Sequence, residues 1–297
     1  MTYLTRRDLS RLLPLLALKP VGIMAETIDP RYREQIEQWR QRREAALKAD
    51  GGWLTVSGLF WLKEGQNSIG SDAGNDILLP ESAPAHLGVI EIRSDRATFT
   101  GRDRAVTLLG KPVTNAEIHP DGSDALVAGP LQLLLIKRGA RLALRLKDNN
   151  SKARREFTHL SWYPVDEDWK ITAKFIPAPN ATKLVFDTVI GEQETSDSPG
   201  YAEFEREGKT FRLQAAGEGE RLFFVIRDQT SGKTTYPASR FLYSEPARDG
   251  FVTLDFNKAE NPPCAFTDYA TCPLPPPQNR LALAITAGER KYEGSSH

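Results

Sequence analysis

The chain has 297 residues, 40% of them hydrophobic and 26% charged, an ordinary globular composition with length enough for two domains. Lysine plus arginine and aspartate plus glutamate each total 39, so the net charge is zero and no global field draws the chain to nucleic acid or anionic lipid. The only two cysteines, Cys264 and Cys272, lie in one segment near the C-terminus.

At the N-terminus, Thr5-Arg6-Arg7-Asp8-Leu9-Ser10-Arg11 precedes an apolar run over residues 12–18 and resembles a twin-arginine export signal. Lys19 and Pro20 interrupt that run, and Ile23-Met24-Ala25 has no small residue at the first position of a cleavage site. Residues 1–28 are read as the signal, which places the protein in the periplasm or cell envelope; a helical extension or a misassigned start is the alternative. The run is too short to span a bilayer, so no membrane span is expected in the mature chain. Residues 29–51 form the first predicted element. Asp29-Pro30 starts it, Tyr32, Ile36, Trp39, Ala46 and Leu47 recur at helical spacing, and Asp50-Gly51-Gly52 ends it.

From Trp53 onward short apolar stretches alternate with turn residues, which predicts a β domain over 52–147 with strands at 53–57, 67–69, 89–92, 97–99, 106–109, 131–137 and 141–146. Within it, Gly70-Ser71-Asp72-Ala73-Gly74-Asn75-Asp76-Ile77-Leu78-Leu79-Pro80, with His86 and Val89-Ile90 beyond, resembles the core of a forkhead-associated domain, a β-sandwich whose loops bind phosphothreonine peptides. Ser71 and Ala83 stand where that family places its arginine and serine. Without the guanidinium, phosphate recognition loses its strongest contact. Asn75, Asp76 and His86 are therefore expected to brace a loop.

The polar stretch 148–156 reads as a boundary, followed by a second β domain over 157–297. Strands are predicted at 157–163, 171–175, 183–189, 202–205, 210–214, 222–226, 241–243, 251–255 and 281–285, with turns at Glu207-Gly208-Lys209 and Thr230-Ser231-Gly232-Lys233. The expected fold class is mainly β: a helix, an antiparallel sandwich of forkhead-associated shape, then an antiparallel sandwich or barrel. His159 and Ser161 would share one strand face. Such a pair lacks an orienting acid and an oxyanion hole, so a structural histidine is the stronger reading.

Between Asp255 and Arg280 the chain carries both cysteines and six prolines, too many for any regular element. The aromatics Phe256, Phe266 and Tyr269 argue against disorder. In an oxidising compartment Cys264 and Cys272 would close a short loop by a disulfide contributing about 2–3 kcal/mol. Metal-ligating thiolates or a redox dithiol are the alternatives, but imidazole neighbours and a Cys-x-x-Cys spacing are lacking. No metal and no cofactor is expected. Arg240, Asp255, Asn257, Asn261, Phe266, Tyr269, Asn279 and Arg280 are the candidate ligand-binding residues, with arginines and amides as directed donors and rings as walls. The competing reading has the same polar groups satisfying the backbone of an irregular loop.

Gly52-Trp53-Leu54, Gly58-Leu59-Phe60-Trp61-Leu62, Asn75-Asp76-Ile77, Arg240-Phe241-Leu242, Asn261-Pro262-Pro263-Cys264 and Asn279-Arg280-Leu281 together resemble domain-of-unknown-function family 1684 from about residue 30 onward. That resemblance implies no activity. Serine-hydrolase, zincin and nucleotide-binding signatures are absent from the sequence. The expected function is binding of a small molecule, glycan or peptide in a C-terminal cleft roofed by the cysteine loop. Two other readings stand beside it: a cofactor-independent hydrolase or lyase with Asp255 or Asp268 as base and Arg280 stabilising charge, and a structural or interaction protein of the envelope.

Overall fold

The computed structural model describes residues 28–94, 96–102, 106–179, 182–218 and 221–294, so the export signal read over 1–28 lies, but for its last residue, outside the described residues. Helix α1 (Pro30–Lys48) starts as expected: the Asp29 carboxylate accepts from the Arg31 backbone N–H at 2.9 Å, and Pro30 takes the first helical position. Its buried face is Tyr32, Ile36, Arg40 and Leu47, so an arginine sits where an apolar residue was looked for. Trp39 is half-buried, its ring edge-on to Trp162 at 5.6 Å, and Ala46 is exposed.

The strands that follow are β1 (Val56–Trp61), β2 (Gly65–Gly70), β3 (Ile77–Leu78), β4 (Gly88–Arg93), β5 (Arg96–Gly101), β6 (Thr107–Leu108), β7 (Lys111–Pro112), β8 (Asn115–Ile118), β9 (Asp121–Ala128), β10 (Leu131–Arg138) and β11 (Arg141–Asp148). They form a six-stranded sheet, β1-β11-β10-β9-β6-β7, and a five-stranded sheet, β3-β2-β4-β5-β8. Alternation decides the faces. Leu131, Leu133 and Leu135 of β10 and Leu144 and Leu146 of β11 point into a core shared with Ile90 and Phe99 of the other sheet. Gln132, Leu134, Ile136 and Arg138, with Arg141, Ala143, Arg145 and Lys147, occupy the opposite, outer face. The strand expected at 53–57 begins as a 3-10 turn, Trp53–Thr55, closed by Thr55 bonding back to the Gly52 carbonyl. β8 and β9 were not expected, because their Asn, Asp, Gly and Ser content reads as turn.

Past a short helix α2 (Lys152–Glu156) come β12 (Lys170–Pro177), β13 (Lys183–Asp187), β14 (Gln193–Asp197), β15 (Gly200–Arg206), β16 (Lys209–Glu218), β17 (Arg221–Ile226), β18 (Arg240–Ser244) and β19 (Phe251–Asp255). Six of them pair in the order β18-β17-β16-β15-β12-β19, and the two end strands approach each other, so the sheet is nearly a closed barrel. β13 and β14 form a separate hairpin. The β15–β16 turn has Glu207 and Gly208 both at positive φ, the mirror-image turn that matches strand twist.

Two expected strands are corrected. Residues 157–163 are coil after α2, with Phe157 and Leu160 buried three apart and His159 exposed, so no strand face holds His159 and Ser161 together. At 281–285 the alternation is real, since Leu281, Leu283 and Ile285 are buried in the barrel core. The segment nevertheless meets only isolated backbone bonds, such as Leu281 N–H to the Arg227 carbonyl, and joins no ladder. The tail is thus a core plug. A further apolar cluster gathers Leu47 of the helix, Leu54, Phe186 of β13, Phe241 of β18 and the cysteine loop, joining the N-terminal segment to the second unit.

Candidate functional site

The candidate residues of the tail are scattered, and most are bonded inward. The Arg240 guanidinium is 1% exposed and meets Asp228 at 2.6 Å and the carbonyls of Ile285 and Ala287. Asn279 accepts from Gln214 N–H at 2.7 Å and donates to the Gln214 and Val225 carbonyls, bridging β16 and β17 beyond the last pair of their ladder, Ala216 and Phe223. Asn257 does the same for Asp166, accepting from its N–H and donating to its carbonyl. Asn261 donates to the Arg290 carbonyl and its own carbonyl receives Arg43 from α1. Asp255 accepts from the Tyr32 hydroxyl at 2.8 Å. Phe266 packs against Tyr292, while Tyr269 and Arg280 are exposed, Arg280 donating to the Pro275 carbonyl. An asparagine amide carries one acceptor and two donors in a plane, so it substitutes for a missing backbone partner. That is what an irregular tail lacking a ladder requires.

The two cysteines are not bridged. Both are buried free thiols, contrary to the expected disulfide, and the loop is closed by other contacts. Cys264 N–H donates to Cys272 Sγ at 3.2 Å, and a thiol hydrogen bond from Cys272 lowers the Cys264 pKa while raising that of Cys272 itself, helped by burial. Tyr236 donates to the Cys264 carbonyl, Thr267 to the Val56 carbonyl of β1, and Arg138 to Thr271 at 2.7 Å. Val189 N–H reaches the Cys272 carbonyl and Leu274 N–H the Asp187 carbonyl. Six hydrogen bonds, most of them to distant parts of the chain, hold the loop in place of one covalent link.

Beneath this loop is a cleft of ≈ 330 Å³ between the outer face of the first sheet and the second β unit. Pro263, Thr271, Cys272 and Pro273 of the loop line it on one side, and the other walls come from elsewhere. Trp53 and Phe186 form one apolar side. Phe223, stacked on Tyr243 at 5.0 Å and edge-on to Phe241 at 4.9 Å, forms another. Its charged lining residues are Arg138, Arg145 and Glu194. Arg138 lies 3.6 Å from Glu194. The Arg145 guanidinium is 5.2 Å over the Trp53 ring, and burial first, then Arg138, lowers its pKa to about 10.

Arg138 and Arg145 were not among the expected site residues. On β11, Arg141, Arg145 and Lys147 alternate with leucines, the ordinary signature of a solvent face. Only the docking of the second unit on that face buries Arg145.

Of the loop residues singled out by the forkhead-associated resemblance, Asn75 and Asp76 brace the loop and His86 does not. Asn75 donates to the Asp72 and Ala85 carbonyls; hydrogen bonds from Lys63 and Ser68 hold the Asp76 carboxyl below the usual range; His86 is exposed.

Residues 155–290 match a family model described as a protein of unknown function, DUF1684, so the resemblance read over nearly the whole chain is shown for its second half. Among solved structures the chain is similar to the solution NMR structure of an uncharacterized protein from gene locus rrnAC0354 of Haloarcula marismortui. The two are 35% identical over 46% of this chain and 78% of that one, with a TM-score of 0.38. No curated protein matches.

Proposed function

We propose that this is an exported binding protein that holds a small molecule in the cleft under the Cys264–Cys272 loop. The observation that carries the reading is the cleft's composition: five aromatic side chains and a proline-rich roof around three charged side chains, the mostly apolar lining with few polar groups that suits small organic ligands. Its size is nearer to a small molecule than to a glycan chain or peptide strand. Catalysis finds less support. Asp255 and Arg280 line other depressions, Asp268 is exposed, and the one carboxylate lining the cleft, Glu194, faces Arg138. The forkhead-associated resemblance is taken as shape alone, since the Ser71 hydroxyl at the arginine position donates to the Ala83 carbonyl. Among the described residues no helix is long and apolar enough to cross a membrane.

Thermal-shift screening against envelope metabolites, with Phe223→Ala as control, tests the cleft. Compounds that raise the melting temperature of the wild type and not of the variant are expected; a screen in which every shift survives Phe223→Ala rejects the assignment. Export is tested apart. Replacing Arg6 and Arg7 by lysine is expected to hold the protein in the cytoplasm, and an unchanged distribution removes the signal.

A further inference from the structure

Three arginines among the described residues are buried to a tenth or less, and two of them are answered. Arg240 meets Asp228, and Arg40 meets Glu37 and the Tyr163 carbonyl. Arg145, 7% exposed, is not. No carboxylate pairs with it among the described residues, and its Nε and Nη2 are sealed from solvent without any hydrogen-bond acceptor. Its surroundings add repulsion: Arg138 lines the same cleft, and Lys147 follows on the same strand face with its pKa lowered by burial and by Arg145. The Trp53 ring offers a cation–π contact and no acceptor. A buried guanidinium without an anion is among the most unfavourable arrangements a fold can hold. The other lining charges leave one positive unit over, because Glu194 offsets only one of the two arginines and Cys272 keeps its proton.

We propose that the cleft's ligand is an organic monoanion, a carboxylate on an aromatic or aliphatic body, with Arg145 and Arg138 receiving the carboxylate and Trp53, Phe186 and Phe223 enclosing the body. This rests on the small-molecule reading and assigns it a chemical class. Nη1, the Arg145 nitrogen that is not sealed, is the donor a carboxylate in the cleft reaches, and Arg138, already turned to Thr271, contributes mainly charge.

The test titrates the full chain with a set of aryl- and alkyl-alkanoates, each beside its primary amide and its primary amine, followed by tryptophan emission and calorimetry. Acids are expected to bind at least about tenfold more tightly than their amides, with the preference falling to about twofold in Arg145→Met. Arg145→Lys, which keeps the charge and loses the fork, is expected in between. Without ligand, Arg145→Met should melt no lower than the wild type, because it removes an unpaired buried charge. Amides that bind as tightly as acids overturn the anion assignment and leave the small-molecule reading standing. Failure of acids, amides and amines alike overturns both. An Arg145→Met variant that melts more than about 5 °C lower while keeping the acid preference marks the guanidinium as structural and overturns its assigned role.

Discussion

Asn279 makes three backbone hydrogen bonds while fully buried, so its replacement leaves a donor and an acceptor of β16 and an acceptor of β17 without partners. Asn279→Asp keeps the shape, loses two donors and adds a buried charge; a loss of about 2–4 kcal/mol is expected by urea denaturation. Arg240→Ala strands the carboxylate of Asp228, whose side chain is fully buried, and is expected to cost about 3–5 kcal/mol, much of it recovered when Asp228→Leu accompanies Arg240→Met. Glu289 carries the clearest pH signature. It is fully buried, and burial raises its pKa to about 7, Arg43 opposing and Glu260 reinforcing the shift. The fold therefore prefers the protonated acid, so this stabilisation is complete below about 4.5 and is lost as pH rises through about 7. Melting curves should show stability declining from pH 5 to pH 8, by up to about 3 kcal/mol from this group, and Glu289→Gln should flatten that slope.

Helix α1 acts as a clamp on the tail. Tyr32 joins Asp255 and Asn257, Arg43 joins Asn261 and lies 3.4 Å from Glu260, and Glu44 accepts from Leu160 N–H. Burial and the Asp255 carboxylate push the Tyr32 phenol above its ordinary pKa, so it stays a donor at any working pH. Tyr32→Phe is expected to cost about 1–3 kcal/mol in denaturant titrations by leaving Asp255 without that donor. Beside the clamp, Gly288 adopts φ +81°, and a Cβ there would lie 2.5 Å from the Ala259 carbonyl oxygen. The cysteine loop is held by its hydrogen bonds and by packing, since Cys264 and Cys272 are free. Adding a reductant should leave the melting temperature unchanged; a drop of several degrees would show that a covalent bridge bears the loop.

At the scale of the molecule, the cleft exists only where the sandwich meets the second unit. Phe186 and Phe241, which line it, belong to the apolar cluster completed by Leu47 and Leu54 from before the first strand. A fragment beginning at residue 155 would uncover that cluster. It should bind a hydrophobic dye strongly and aggregate, whereas a monodisperse, dye-silent fragment would show that the second unit closes its own core.

The mainly β class, the helix begun by Asp29-Pro30 and the wedging of residues 255–280 against a scaffold were legible in the sequence, because each follows from local rules: strand alternation, capping chemistry and the fixed φ of proline. The partners of polar groups were not legible. Asn257 meets Tyr32, and Arg43 meets Asn261, across more than two hundred residues of chain. Local pattern cannot tell an amide bonded to backbone from one awaiting a ligand. It also cannot separate Arg145 from Arg141, two positions alike in spacing on one strand face, of which packing of the second unit buried the first and left the second exposed. Local propensity shaped the elements; only their docking set which charges lost water.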